Sequence, residues 1–223
     1  MKADLNPNIP GYYHVDYWRR WARVYDRATW LLLLPFGGEK HFRQRLVDFA
    51  GIKDGDRVLE MCAGTGSLTQ LLARKVGSGR VTAVDLSPDM LARARKKTAG
   101  LPVDIQQASC DALPFPTGSF DKVFISYGLH ELPEAVRRKA LAEACRVTRP
   151  GGAFFALDYH EPRNPVWRFG IDGFVRRFEG QTAFSIMPDG LLPGELAAAG
   201  FRVTARQMPL FGMFQVLRAE KAA

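Results

Sequence analysis

The twelve residues Val58-Leu59-Glu60-Met61-Cys62-Ala63-Gly64-Thr65-Gly66-Ser67-Leu68-Thr69 restrict this chain more than any other stretch. An apolar extended run breaks into a glycine-bearing turn and then takes up helical spacing. Glycine in such a turn lets the backbone adopt left-handed angles and lets a ligand come close, because no Cβ intervenes. At the carboxyl edge of a parallel sheet this is the place where a nucleotide binds. A tight strand-to-helix turn with no ligand is the plainer reading of the segment taken alone.

The residues beyond the turn favour the ligand. Val81-Thr82-Ala83-Val84-Asp85 reads as a second strand, and its terminal Asp85 lies 19 residues beyond Gly66. A carboxylate there can accept hydrogen bonds from both hydroxyls of an adenosine ribose. The alternative for Asp85 is a helix N-cap or a solvated loop acid. From Gly51 onward, β-branched runs alternate with helical-period segments, the pattern of repeated βαβ units. Strands are expected at Arg57–Met61, Arg80–Asp85, Val103–Gln107, Phe120–Ser126 and Gly152–Asp158, with helices beginning near Gly66, Pro88, Pro133 and Asn164. Arg149-Pro150-Gly151-Gly152 reads as a turn before the fifth strand. After a helix over Leu191–Ala199, Phe201–Met208 and Gly212–Ala219 form a hairpin. The sum is an α/β fold: a doubly wound, mostly parallel seven-stranded sheet with an antiparallel C-terminal hairpin.

A dinucleotide fingerprint would place glycine or alanine where Thr69 stands, which lowers an NAD(P)-dependent oxidoreductase to an alternative. The later segments bear more weight: Gln107-Ala108-Ser109-Cys110-Asp111-Ala112-Leu113-Pro114-Phe115, then Ser119-Phe120-Asp121-Lys122-Val123, then Arg149-Pro150-Gly151-Gly152. Their order resembles the Rossmann-like class I S-adenosylmethionine-dependent methyltransferases over roughly residues 40 to 220. Glu60 to Gly66 is similar to that family's acidic glycine loop, Asp85 to its ribose acid and Asp111-Ala112 to its adenine-binding pair. Cys62 departs from the pattern, standing where the first glycine usually is; a positive φ there would strain it.

The resemblance implies S-adenosyl-L-methionine as cofactor and S-adenosyl-L-homocysteine as product. It implies that Glu60, Cys62, Ala63, Gly64 and Gly66 belong to the cofactor site, with backbone groups around Cys62 and Gly64 holding the methionine part; Asp111 and the Ala112 amide read the adenine edge, and Leu86, Met90 and Cys110 flank the ring. Ser126 and Tyr127, ending the fourth strand, complete the cofactor set. His130 lies just past that strand, beside the expected methyl position. With an unperturbed pKa near neutrality, it is the leading base if the acceptor must lose a proton. His160, following Asp158 and Tyr159, and Tyr25, in the N-terminal aromatic segment, are the other catalytic candidates.

Within the family, Phe120 to Pro133 is similar to the small-molecule and quinone methyltransferases. It lacks the Asn or Asp-Pro-Pro-aromatic motif of amino-methylating nucleic-acid enzymes. Nucleic acid therefore falls in rank, although the formal charge of +8 favours anionic partners. Trp21-Ala22-Arg23-Val24-Tyr25-Asp26 and Phe36-Gly37-Gly38 also resemble the ubiquinone and menaquinone methyltransferases and some bacterial phospholipid N-methyltransferases. The expected acceptor is small and largely apolar, quinone-like or lipid-like; a catalytically inactive cofactor-binding module is the third reading.

Residues 1–38 form an expected aromatic and basic helical lid, and 39–223 the methyltransferase domain. Trp18, Trp21 and Tyr25 recur at helical spacing among Arg19, Arg20, Arg23 and Arg27, which suits a lid, a packed helix or a peripheral membrane contact. Three dispersed cysteines indicate neither a disulfide framework nor a metal site, and Met1 to Pro7 has no secretory character, so a cytoplasmic location is expected.

Overall fold

The computed structural model describes Tyr13 and residues 15–34, 37–178 and 181–222; residues 1–12, His14, Pro35 and Phe36 of the expected lid lie outside them. Two helices, α1 (Val15–Leu33) and α2 (Gly38–Ala50), precede the first strand. Then come β1 (Arg57–Met61), α3 (Ser67–Ala73), β2 (Arg80–Asp85), α4 (Pro88–Lys97), β3 (Val103–Gln107) and β4 (Phe120–Ser126). The second half holds α5 (Glu134–Val147), β5 (Thr148–Tyr159), α6 (Pro165–Phe178), the short α7 (Gln181–Phe184), α8 (Leu191–Ala198), β6 (Phe201–Gln207) and β7 (Phe214–Lys221).

The sheet runs β3-β2-β1-β4-β5-β7-β6. Its first five strands are parallel, and β7 pairs antiparallel with both β5 and β6. Side chains alternate across the sheet, so Phe124, Phe155 and Leu157 enter one core cluster while Val123, Ile125, Phe154 and Ala156 enter the other. Burial on both faces explains why these strands read as continuous apolar runs.

One expected turn is a continuation of strand. Residues Arg149 to Gly152 lie inside β5, which starts at Thr148 opposite Phe120; a register shift between Phe120 and Lys122 absorbs the irregularity, with Gly151 at φ 69°. Pro133 occupies the N-cap of α5, and at α4 the N-cap is Ser87, whose Oγ accepts from the Met90 amide at 3.2 Å. Asp85 is therefore not the cap of that helix.

Strand order reverses at β1, whose neighbours β2 and β4 lie on either side, so the loops leaving β1 and β4 diverge and open a crevice. Both loops begin on a strained residue: Cys62 has φ 53° and Tyr127 φ 55°. They also touch, because a Cβ on Gly128 would stand 2.8 Å from that of Cys62 and 3.1 Å from the Ile125 side chain. Gly128→Ala is expected to lower stability by about 1–3 kcal/mol in urea unfolding through this overpacking. Gly173→Ala, within α6 where a Cβ meets nothing within 4 Å, should be neutral or stabilising. Equal midpoints for the two variants would refute the contact.

Candidate active site

A cavity of about 1140 Å³ opens at the carboxyl ends of β1, β2 and β4, lined in part by α1, α2 and α6. It exceeds the usual size of a pocket for one drug-sized ligand, roughly 300–1,000 Å³. Its floor comes from Glu60 near the end of β1 and from the loop that follows: Cys62, Ala63, Gly64 and Thr65. Asp85, Leu86 and Met90 reach it from β2 and the start of α4, and Cys110 from the segment after β3. Ser126, Tyr127 and His130 close the far side, and Tyr25 enters from α1.

Four residues expected at the site lie off this lining. Gly66, at φ 78°, caps α3 and packs against Ala94 instead of facing the cavity. The Asp111 carboxylate accepts from the Ser109 hydroxyl, and the Ala112 amide donates to the Ser109 carbonyl at 3.3 Å, closing a tight turn. The His160 ring is turned toward the C-terminal turn: Nδ1 donates to the Gly212 carbonyl at 2.8 Å and Nε2 faces Asp189 at 3.4 Å.

Asp85 holds the cavity's two lips together. One carboxylate oxygen accepts the Gly64 amide and the other the Ser87 amide, each at 2.8 Å. Burial pushes this carboxyl above its ordinary value, opposed by the amides of Ser87, Gly64 and Leu86. Glu60 is more deeply placed, 2% exposed, and accepts from the Thr69 hydroxyl at 2.5 Å. Thr69 at the third-glycine position thus has a structural use. Burial pushes the Glu60 carboxyl up to about 7, against the Thr69 hydrogen bond and the field of Arg43.

On the opposite wall, the fully buried Asp158 carboxylate accepts the amides of Leu129, His130 and Tyr159 at 3.0, 3.3 and 2.8 Å. It is also 2.7 Å from His130 Nδ1. An acceptor so placed assigns the Nδ1 proton to histidine and leaves Nε2, 3.5 Å from Glu131, as the basic nitrogen. The His130 ring packs edge-on to Tyr159 at 4.7 Å.

Helix α1 is tied to the glycine loop by charge. The Thr65 hydroxyl donates to Asp26 at 2.6 Å, and Lys97 donates to Asp26 at 3.0 Å and to Ser67 at 2.8 Å. Trp18, Trp21, Tyr25 and Leu33 of the same helix line the cavity. Sequence reasoning named neither Asp26 nor Lys97 nor Asp158 as a site residue, because each depends on a partner at least 28 positions away.

The cavity wall fits a polar ligand that supplies missing partners. Arg43 Nε, Ser126 Oγ and the Tyr127 phenol are buried without a hydrogen-bond partner among the described residues, and all three residues line the cavity. Among the described residues no cluster of metal-ligating side chains occurs.

A sheet of this order, with a glycine loop after β1 and an acid ending β2, defines the class I S-adenosylmethionine-dependent methyltransferase fold. Solved structures agree. A Thermotoga maritima S-adenosylmethionine-dependent methyltransferase aligns at TM-score 0.70 and 19% identity over 93% of this chain and 99% of its own. One from Aquifex aeolicus aligns at 0.64 and 23% over 80% and 88%. A methyltransferase domain family model matches residues 58–152. In sequence, the demethylmenaquinone methyltransferase of Thermus thermophilus is 35% identical over 86% of this chain and 83% of its own. The ubiquinone/menaquinone biosynthesis C-methyltransferase UbiE of Geobacter sulfurreducens is 31% identical over 85% and 81%. The chain belongs to this family of S-adenosylmethionine-dependent methyltransferases. It is an enzyme of methyl transfer, and its cofactor is S-adenosyl-L-methionine.

Glu60 gives a test of the site's electrostatics. Its pKa rises from 4.5 in the unfolded reference to about 7, so across that window the folded chain holds a proton that the unfolded chain has lost. Stability therefore falls as pH rises through the window, by about 3 kcal/mol once above pH 7. Glu60→Gln removes the penalty, and its stability relative to wild type should improve by about that amount between pH 4.5 and pH 8. A pH-independent difference in urea-unfolding free energy would contradict it.

Proposed function

We propose that this chain methylates a lipid-borne quinol-like ring, with His130 as general base and residues 1–38 as a lid over cofactor and acceptor. The observation that carries the reading is the buried His130–Asp158 pair on the wall of a cavity that is also lined by aromatic and aliphatic side chains, such as Trp21, Tyr159, Ile171 and Phe174. The names of the relatives, which act in menaquinone and ubiquinone biosynthesis, supply the substrate class.

The bound sulfonium supplies an electrophilic methyl group. Glu60, Cys62, Ala63 and Gly64 would seat the methionine part, and Asp85 would accept the ribose hydroxyls beside Leu86, Met90 and Cys110. The Asp111-Ala112 turn lies close enough in sequence to Cys110 to meet the adenine edge on loop adjustment. His130 Nε2 would take the ring hydroxyl proton, and Asp158 would stabilise the imidazolium that forms. Loss of that proton raises electron density at the ring carbon that attacks. Closure of α1 over the cleft excludes water, and the Asp26, Lys97 and Thr65 contacts hold it closed. Tyr25 then acts in positioning the acceptor.

Supplying radiolabelled methyl donor to the purified chain with a reduced prenylated naphthoquinone should label the quinol. Label appearing in phosphatidylethanolamine instead would overturn the quinol reading. His130→Gln should lower kcat by about 10²–10⁴-fold while donor affinity by calorimetry stays unchanged; wild-type kcat would dismiss the base.

A lipid-borne acceptor calls for membrane contact, and the surface beside the cavity suits it. Val166 and Phe169 on α6 are 71% and 84% exposed, Phe211 is 62% exposed, and Phe211 stacks on Trp167 at 4.2 Å. Leu210 and Phe211 hold positive φ, a backbone cost of about 1–2 kcal/mol each, and so push that ring outward. Arg168, Arg176 and Arg177 lie on the same helix as Val166 and Phe169, and Arg163 just before it, a composition that favours an anionic lipid surface. No helix among the described residues is long and apolar enough to cross a membrane. Phe169→Ser with Phe211→Ser should lower the partition onto phosphatidylglycerol vesicles by about 100-fold or more, since burying each ring contributes roughly 1.5–3 kcal/mol. Unaltered flotation would remove the docking surface from the proposal.

A further inference from the structure

Helix α6 turns one face to the cavity. Trp167, Gly170, Ile171 and Phe174 recur at the three- and four-residue spacing of a single helical face, and all four line the cavity. Phe169 and Gly173 are off that lining, and both are exposed. Along the lining face Ile171 is buried and Phe174 half-buried, whereas Trp167 and Gly170 are exposed to solvent as well as to the cavity. Residues that meet both mark an opening, so the cavity has a mouth at the first half of α6.

Aromatic contacts join this mouth to the catalytic wall. The His130 ring packs on Tyr159 at 4.7 Å, and Tyr159 faces Phe174 at 6.4 Å. From Phe174 back to Trp167 the helix covers two turns, about 10 Å of its axis. Trp167 then stacks on the exposed Phe211 at 4.2 Å. An apolar path thus runs from His130 to the aromatic patch outside.

Gly170 is the break in that path. Glycine weakens a helix interior, and here neither crowding nor a positive φ calls for it: an added Cβ would meet nothing within 4 Å. Gly128, by contrast, is hemmed in by Cys62 and Ile125. What the missing side chain leaves at position 170 is open space at the mouth. A hydrocarbon tail on a ring set beside His130 would follow the apolar path and pass out where no side chain stands. Gly173 shares the same freedom away from the cavity, which makes it a matched control.

We propose that Gly170 is the portal through which the acceptor's hydrocarbon tail leaves the cavity, and that the residue at this position sets how long a tail the enzyme accepts. This rests on the acceptor being a lipid-borne quinol.

The test is steady-state methylation, in one detergent, of two reduced naphthoquinones, one with a single isoprene unit on the ring and one with a tail of four. Gly170→Phe should raise KM for the long-tailed acceptor about tenfold or more, the loss expected when about two methylenes forfeit their burial. KM for the short-tailed acceptor and S-adenosylhomocysteine affinity by calorimetry should hold. Gly170→Leu, which carries a better helix former, should show the same selectivity with a wild-type circular dichroism spectrum. Gly173→Phe should treat both acceptors as the wild type does. An equal rise for the two acceptors, no rise, or the same selectivity in Gly173→Phe would each overturn the portal while leaving the quinol reading intact. Methylation of neither quinol by the wild type would overturn that reading, and the portal with it.

Discussion

The Asp85 carboxylate is the joint on which the cleft depends. Two parallel strands deliver their loops to the same edge of the sheet, and the backbone ties them only as far as the Ala63 amide, which donates to the Val84 carbonyl at 3.0 Å. Beyond that point Asp85 joins them by accepting the Gly64 amide from one loop and the Ser87 amide from its own. Each is a charge-assisted bond to a backbone donor, among the stronger interactions a partly buried site contains. With those two amides satisfied, each oxygen retains a lone pair that a ribose hydroxyl can fill.

Around that joint the chain tolerates local costs that an unliganded core would not. Cys62 and Tyr127 hold left-handed backbone angles that disfavour side chains, one at the start of each diverging loop. Gly128 lets the two loops approach by lacking a Cβ. Glu60 is buried with one hydroxyl donor, and several polar atoms on the cavity wall have no partner among the described residues. These costs sit on a sheet whose central side chains, Phe124, Phe154 and Phe155 among them, are completely buried. Stability is supplied by the core, and the cleft is where the molecule departs from it.

The sequence disclosed what is local. Every parallel strand and the hairpin were legible, because period, turn residues and β-branched runs act over a few positions. The glycine loop and Asp85 were legible for the same reason. What escaped depends on distant pairs: Asp26 meets Lys97 and Thr65, Asp158 orients His130, and Arg43 becomes significant only once α2 is seen to face the cavity. His160 reads like His130, since both follow a parallel strand and lie near Asp158. Only the fold separates them, turning one ring toward Gly212 and placing the other on the cavity wall. Arg149 to Gly152 misled in the opposite direction: its Pro-Gly-Gly reads as a turn, yet pairing with β4 extends β5 through it by a register shift.

The same dependence on distant partners explains why α1 is more than a cover. An amphipathic helix that only shielded an apolar cavity would need apolar residues facing inward and nothing else. This helix also sends Asp26 to the glycine loop and Thr29 to Glu39 on α2. Displacing α1 would leave Lys97 without its carboxylate and Glu39 without a hydroxyl donor, so the helix is held at two separate points on the cavity rim.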